Sequence, residues 1–112
     1  MKIVNTLKEA IPVMIEALVS GDLVLVDNLL VKYPRLIELR DKQGRTLLMI
    51  VAYLGSPGIV NYFISFHVIA TQNIDIEAVD DDELNAYDWA VLGGNEFAVS
   101  LISRIADPGD RN

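Results

Sequence analysis

Apolar residues recur along the chain at helical spacing in six separate sets. Met14, Ala17 and Leu18 fall at i, i+3 and i+4, and Leu25, Val26, Leu29 and Leu30 form the next stripe. Leu48, Val51 and Ala52 repeat the pattern, followed by Ile59 and Val60 with Phe63 and Ile64. Tyr87, Ala90 and Val91 come next, then Ala98, Leu101 and Ile102. Each set lays an apolar stripe along one face of a helix.

The breaks recur too. Gly21-Asp22 divides the first pair of stripes, Gly55-Ser-Pro-Gly58 the second and Gly93-Gly94-Asn95 the third. Glycine ends a helix in the left-handed conformation at no steric cost, and Asp22, Ser56 and Asn95 are suited to cap the helix that follows. Pro57 suits a first helical position, where its missing N–H costs nothing. The pattern predicts six short helices in three helix–turn–helix pairs. Longer connectors run from Tyr33 to Arg45 and from Thr71 to Leu84, with short β-like pieces expected around Ile74–Ala78. From Gly21 to Gly55 is 34 residues and from Gly55 to Gly94 is 39. A period in this range marks a stack of supersecondary units. The excess in the second interval falls in Ser65–Asn73, read as an extended helix or an enlarged loop.

The stretch from Asp41 to Ile64 resembles an ankyrin repeat. Asp41, Gly44 and Thr46 match the family's Asp-x-x-Gly-x-Thr turn. Leu48, Ala52, Gly55 and the aliphatic Ile59-Val60 with Phe63-Ile64 match its two helices. Leu47 and Met49 stand where the family has proline and histidine, and a methionine cannot donate the histidine's hydrogen bonds. A third unit is similar through Asp80, Asn85, Ala90, Gly94 and Ala98-Val99, with Glu83 replacing the turn glycine. The first unit keeps only Ala17, Gly21, Leu25-Val26 and Leu29-Leu30, like a degenerate capping repeat. The resemblance implies an all-α, ankyrin-type solenoid of three stacked helix–turn–helix units with extended turns, forming one domain. Its units would run over about 6–39, 40–78 and 79–106, with a short tail at 107–112. The charged first helix would cover one end of the stack. The last helix, with Glu96, Ser100, Ser103 and Arg104, would cover the other.

Composition narrows the function. The chain has 112 residues, no cysteine and a net charge of −7. An apolar fraction of 52% is too high for disorder. The absent cysteines exclude a disulfide scaffold, a zinc finger and a thiol nucleophile, and the acidic balance argues against nucleic acid as a partner. Lys8, Glu9, Pro12 and Glu16 interrupt any signal-peptide core. From Thr46 to Ile74 there is no Asp, Glu, Lys or Arg, but Gly55-Ser-Pro-Gly58 splits that run into halves too short to span a bilayer. No membrane span is expected, and the location is read as cytoplasmic, with delivery into a host cell left open.

Catalytic chemistry finds little support. The one histidine, His67, lies in an apolar stretch with no nucleophile–base set around it. No phosphate-binding glycine motif is present. The acidic run Asp75, Glu77, Asp80, Asp81, Asp82 and Glu83 places Asp80 and Ala86 where a calcium loop needs glycine and glutamate. It is read as a solvated acidic turn, the functional alternative being a patch that attracts a basic partner. Tyr87 and Trp89 are read as mainly structural. No catalytic residue, metal or cofactor is expected.

The ankyrin resemblance instead implies a concave surface made of turn tips and inner helices. Carried over position by position, the second unit offers Arg40, Lys42, Gln43, Arg45, Tyr53 and Leu54. The third offers Val79, Asp81, Asp82, Leu84 and Leu92. Such a groove would be basic at one turn and acidic at the next, around an apolar centre of Tyr53, Leu54, Leu84 and Leu92. The implied function is a non-enzymatic module that binds another protein as adaptor, inhibitor or effector. The alternative is a self-associating structural protein, a possible homo-oligomer, packing through an end repeat or through residues 65–73. A small enzyme or ligand carrier with a pocket under that insertion is a third reading.

Overall fold

A computed structural model describes residues 5–65 and 74–106 of the chain. Six α-helices are seen among them: α1 (Leu7–Ser20), α2 (Leu23–Lys32), α3 (Leu47–Leu54), α4 (Pro57–Ile64), α5 (Ala86–Leu92) and α6 (Glu96–Ala106). A 3-10 helix, Pro34–Glu38, follows α2. The predicted pairs are therefore α1/α2, α3/α4 and α5/α6. His67 and the rest of residues 66–73 lie outside the described residues, as does the tail at 107–112.

Side-chain caps set most helix starts. Thr6 Oγ1 accepts from Glu9 N, and Asp22 Oδ1 accepts from Leu25 N, both at 3.1 Å. Asn85 Oδ1 accepts from Asp88 N at 2.9 Å, while Asp88 Oδ2 accepts from Asn85 N at 3.0 Å, a reciprocal capping box. Ser56 departs from expectation and makes no side-chain cap bond. Pro57 occupies the first position of α4 and brings no N–H to satisfy. Gly55 also differs from the left-handed terminator expected of it. Its backbone is extended, and it is required because a Cβ there would lie 2.6 Å from the Val51 carbonyl oxygen.

The stack closes in two layers. Inner helix α3 packs on α5, outer helix α4 packs on α6, and the 3-10 helix wedges between the first pair and α3. The side chains of Phe63, Met14, Leu18, Leu30, Met49, Ile59, Ile64 and Ile102 are fully buried. Ala52, Ala90 and Ala98, each 0% exposed, keep the helices close. No single pair encloses this core alone, which is why stacking is required.

Residues 74–78 do not form the expected β-like piece. Asp75 folds the chain into a turn, its Oδ1 accepting from Glu77 N at 3.0 Å and its carbonyl from Ala78 N at 3.4 Å. Among the described residues, the extended pairing that does occur is a single antiparallel bridge between Arg40 and Thr46, at the base of the turn before α3.

Candidate partner-binding groove

The two turns that precede α3 and α5 are built by the same bonds. Asp41 Oδ1 accepts from Gln43 N and Arg45 N, each at 2.9 Å. Asp80 Oδ1 accepts from Asp82 N and Leu84 N, again each at 2.9 Å. Gly44 has φ 77°, and Glu83 adopts the same left-handed conformation at φ 64°. The missing glycine therefore does not alter the turn. Met49 stands in place of the family's histidine, and its Sδ accepts from Thr46 N at 3.4 Å.

Neighbouring turns are tied together. Asp81 N donates to the Gln43 carbonyl at 2.9 Å, and Arg40 Nη1 donates to the Val79 carbonyl at 2.6 Å and the Gly44 carbonyl at 3.1 Å. Arg45 Nε pairs with Asp41 Oδ2 at 2.7 Å, and its guanidinium lies 5.6 Å from the centre of the Trp89 ring. Arg40 and Arg45 are thus both hydrogen-bonded within the protein at this turn. Lys42 stands exposed at its tip.

The next tip is acidic on the outside alone. Asp81 and Asp82 are exposed, but Asp80, expected in a solvated turn, is 5% exposed. Its Oδ2 accepts from Trp89 Nε1 at 2.9 Å. Burial pushes the Asp80 carboxyl up, but hydrogen bonds from Leu84, Trp89 and Asp82 and the charge of Arg45 outweigh it and hold the group below the usual carboxylate range. Asp41 behaves alike. Burial raises it, and the backbone and side-chain bonds of Arg45, the Gln43 N–H and the Arg45 charge bring it down further.

Behind the turns lies an apolar floor. Ile15, Arg45, Met49, Ile50, Tyr53, Leu54 and Trp89 line a cleft of about 340 Å³ between the inner helices. A smaller one of about 140 Å³ continues it beside α1, where Ile11 and Ile15 face Leu47 and Ile50 below Arg40 and Arg45. Tyr53 meets Trp89 edge to face, 5.5 Å between ring centres. Gly93 permits this approach, since a Cβ there would collide with the Tyr53 carbonyl oxygen.

Of the expected site residues, Arg40, Arg45, Tyr53 and Leu54 converge on this floor. Lys42, Gln43, Asp81 and Asp82 sit at the tips and line neither cleft. Val79 and Leu92 are exposed and Leu84 is half-buried, and these too line neither cleft. The residues that sequence reasoning missed are Ile11, Ile15, Ile50 and Trp89. Trp89 is half-buried on the groove rather than in the core. The signal for it was available: an indole N–H needs a partner, and Asp80 lies nine residues before it.

Latched turns over stacked helix pairs define a helical-repeat protein of the ankyrin type. The family model for ankyrin repeats (3 copies) matches residues 13–112, and the chain belongs to that family. Ankyrin repeats are protein-interaction modules. A search of the curated proteins found no match. Among solved structures, the fold is similar to a chain in the complex of Bd0816, a predatory endopeptidase from Bdellovibrio bacteriovorus, with immunity protein Bd3460. The TM-score is 0.61 at 21% identity, over 81% of this chain and 44% of that chain, so this chain corresponds to less than half of that one. No helix among the described residues is long and apolar enough to cross a membrane.

Proposed function

We propose that the protein is a non-enzymatic binding module that holds a segment of a partner protein in the groove across α1, α3 and α5. The observation that carries this reading is the apolar floor of Ile11, Ile15, Ile50, Tyr53, Leu54 and Trp89, in two adjoining clefts under a polar rim of turn tips. Aromatic and aliphatic anchors inside a polar rim are the anatomy of a protein-binding hot spot. Because the turns latch to one another, little ordering is left to occur on binding, which favours affinity. Of adaptor, inhibitor and effector, the inhibitor role has the structural precedent, since the similar fold occurs in a complex of an endopeptidase with an immunity protein.

The test compares wild type with Leu54→Arg in affinity capture from cognate lysate. The side chain lines the groove and is 42% exposed, so the core is untouched, and circular dichroism verifies equal folding. A protein captured by wild type and lost by the variant supports the groove. Equal capture by both overturns it.

A further inference from the structure

We propose that the groove takes an amphipathic helix of the partner, with its apolar stripe on the floor and lysine or arginine where it passes the tip of the third unit. This rests on the groove reading above and adds the shape and charge of the occupant.

The apolar surface extends beyond the two clefts. Gly21, Gly55 and Gly94 are separated by 34 and 39 residues, and Val19, Tyr53 and Leu92 repeat the same intervals. These three are therefore equivalent positions near the ends of the inner helices α1, α3 and α5. Val19 lies one turn after Ile15, and Leu92 one turn after Trp89, so each shares the helix face of a residue that lines the groove. Val19 is 66% exposed, Tyr53 45% and Leu92 60%. Together they form an apolar track that crosses all three units, transverse to the inner helices.

The spacing of the track selects a helix. Packed helices lie about 8–10 Å apart, so the track repeats at about that interval. An α-helix returns a side chain to one face every seven residues, about 10.5 Å along its axis. A strand does so every two residues, about 6.7 Å, and falls out of step. The floor also consists of side chains on helices whose backbones bond internally. An extended segment laid on it would leave its own N–H and C=O groups without partners, whereas a helix satisfies them itself.

Charge selects the flank. Asp81, Asp82 and Glu83 stand exposed at the tip of the third unit, and among the described residues none of them pairs with a cation. From Ile74 to Ala106 the only cation is Arg104, on α6. The tip of the second unit differs: Lys42 is exposed there, and Asp41 is paired with Arg45 at 2.7 Å. A cation on the bound helix is thus favoured at the α5 end of the track and not over α3.

Fluorescence anisotropy with two labelled peptides of about 18 residues tests this. Both carry leucine on a seven-residue repeat. One has lysines beside the leucines in its last two turns, and the other has glutamates at the same positions. Salt is held at about 0.15 M, which screens charges more than about 8 Å apart. Wild type should bind the lysine peptide about tenfold or more tightly than the glutamate peptide. Asp82→Lys should cut that preference by about tenfold, whereas Glu96→Lys, the same charge change on α6 away from the groove, should leave it unchanged. Leu54→Arg should remove binding, and circular dichroism confirms that each variant is folded. Equal binding of the two peptides, abolished by Leu54→Arg, overturns the basic flank and leaves the groove reading intact. Lysine-peptide binding that survives Leu54→Arg, or that Glu96→Lys weakens as much as Asp82→Lys does, is plain charge attraction and overturns the proposal. So does the absence of binding by either peptide up to about 1 mM, a result that leaves the groove itself to the lysate capture.

Discussion

Glu83 and Gly44 occupy equivalent left-handed positions, φ 64° and 77°, in consecutive turns that are otherwise bonded alike. A glycine holds this conformation freely. A residue with a Cβ is strained there by about 1–2 kcal/mol. Glu83→Gly should therefore stabilise the protein, by about 0.5–1 kcal/mol once the greater freedom of glycine in the unfolded chain is counted. Gly44→Ala should do the opposite and by more, because its Cβ would also press within 2.6 Å of Asp81 Oδ1. Urea denaturation checks both, as opposite shifts of midpoint at unchanged slope.

Acid should open these turns. Asp41 and Asp80 are both held below the usual carboxylate range in the folded protein, because hydrogen bonds and Arg45 favour the carboxylate more than burial opposes it. A lowered folded value means that the unfolded chain takes up protons first. The stability they contribute is complete above their ordinary value and is lost as pH falls from there through their folded values. The expected result is a denaturation midpoint that drops steeply below about pH 4. Asp80→Asn should lower the midpoint at neutral pH and shrink that drop. The Trp89 indole, hydrogen-bonded to Asp80, should report the change by fluorescence.

These turns also show what was legible in the sequence. The six helices were, because glycine-marked breaks separate apolar stripes of constant spacing. The floor of the groove was not. α3 reads Leu-Leu-Met-Ile-Val-Ala-Tyr-Leu, with no charged residue to mark its open face, so Ile50 could not be told from its buried neighbours. Asp80 was lost within a run of acids that looks uniformly solvated. Its position gave the only clue, three residues before Glu83 as Asp41 is three before Gly44.

Tyr62 joins the outer layer of the first two units. Its hydroxyl donates to Asp27 Oδ1 at 2.7 Å. Burial first, then that hydrogen bond and the Asp27 charge, push the phenol up to about 12. A raised folded value means that the neutral phenol stabilises the fold fully below the ordinary tyrosine value of about 10, and that this is lost as pH rises through about 12. Alkaline titration followed by phenolate absorbance should show one of the four tyrosines ionising late. That step should vanish in Tyr62→Phe. In Asp27→Asn it should move down but stay above the ordinary value, since burial remains.

Asn95 connects the second unit to the third. Its Nδ2 donates to the Ala52 and Gly55 carbonyls at 3.0 and 3.1 Å, while Oδ1 accepts from Ala98 N at 3.3 Å. Asn95→Ala should cost about 2–3 kcal/mol, from the lost cap and two carbonyls left partly unsatisfied. Asn95→Asp keeps the acceptor at the start of α6 and loses the donors. It should recover only the cap, about 1 kcal/mol. Recovery to wild-type stability in chemical denaturation would show that the carbonyl bonds contribute nothing.

Gly93 governs how closely α5 approaches α3. A Cβ there meets the Tyr53 carbonyl oxygen and lies 3.0 Å from the Tyr53 ring. The first of these is backbone and cannot rotate away. Gly93→Ala must therefore push the two inner helices apart, at about 1–3 kcal/mol, the usual range for overpacking. Tyr53 and Trp89 would separate with them, and both line the groove. The expected outcome is a folded, less stable protein with altered fluorescence from its single tryptophan. Gly58, where a Cβ meets nothing, is the control: Gly58→Ala should leave that fluorescence unchanged. If Gly93→Ala matches wild type in both stability and fluorescence, the close packing of α5 on α3 is not what holds the aromatic pair together.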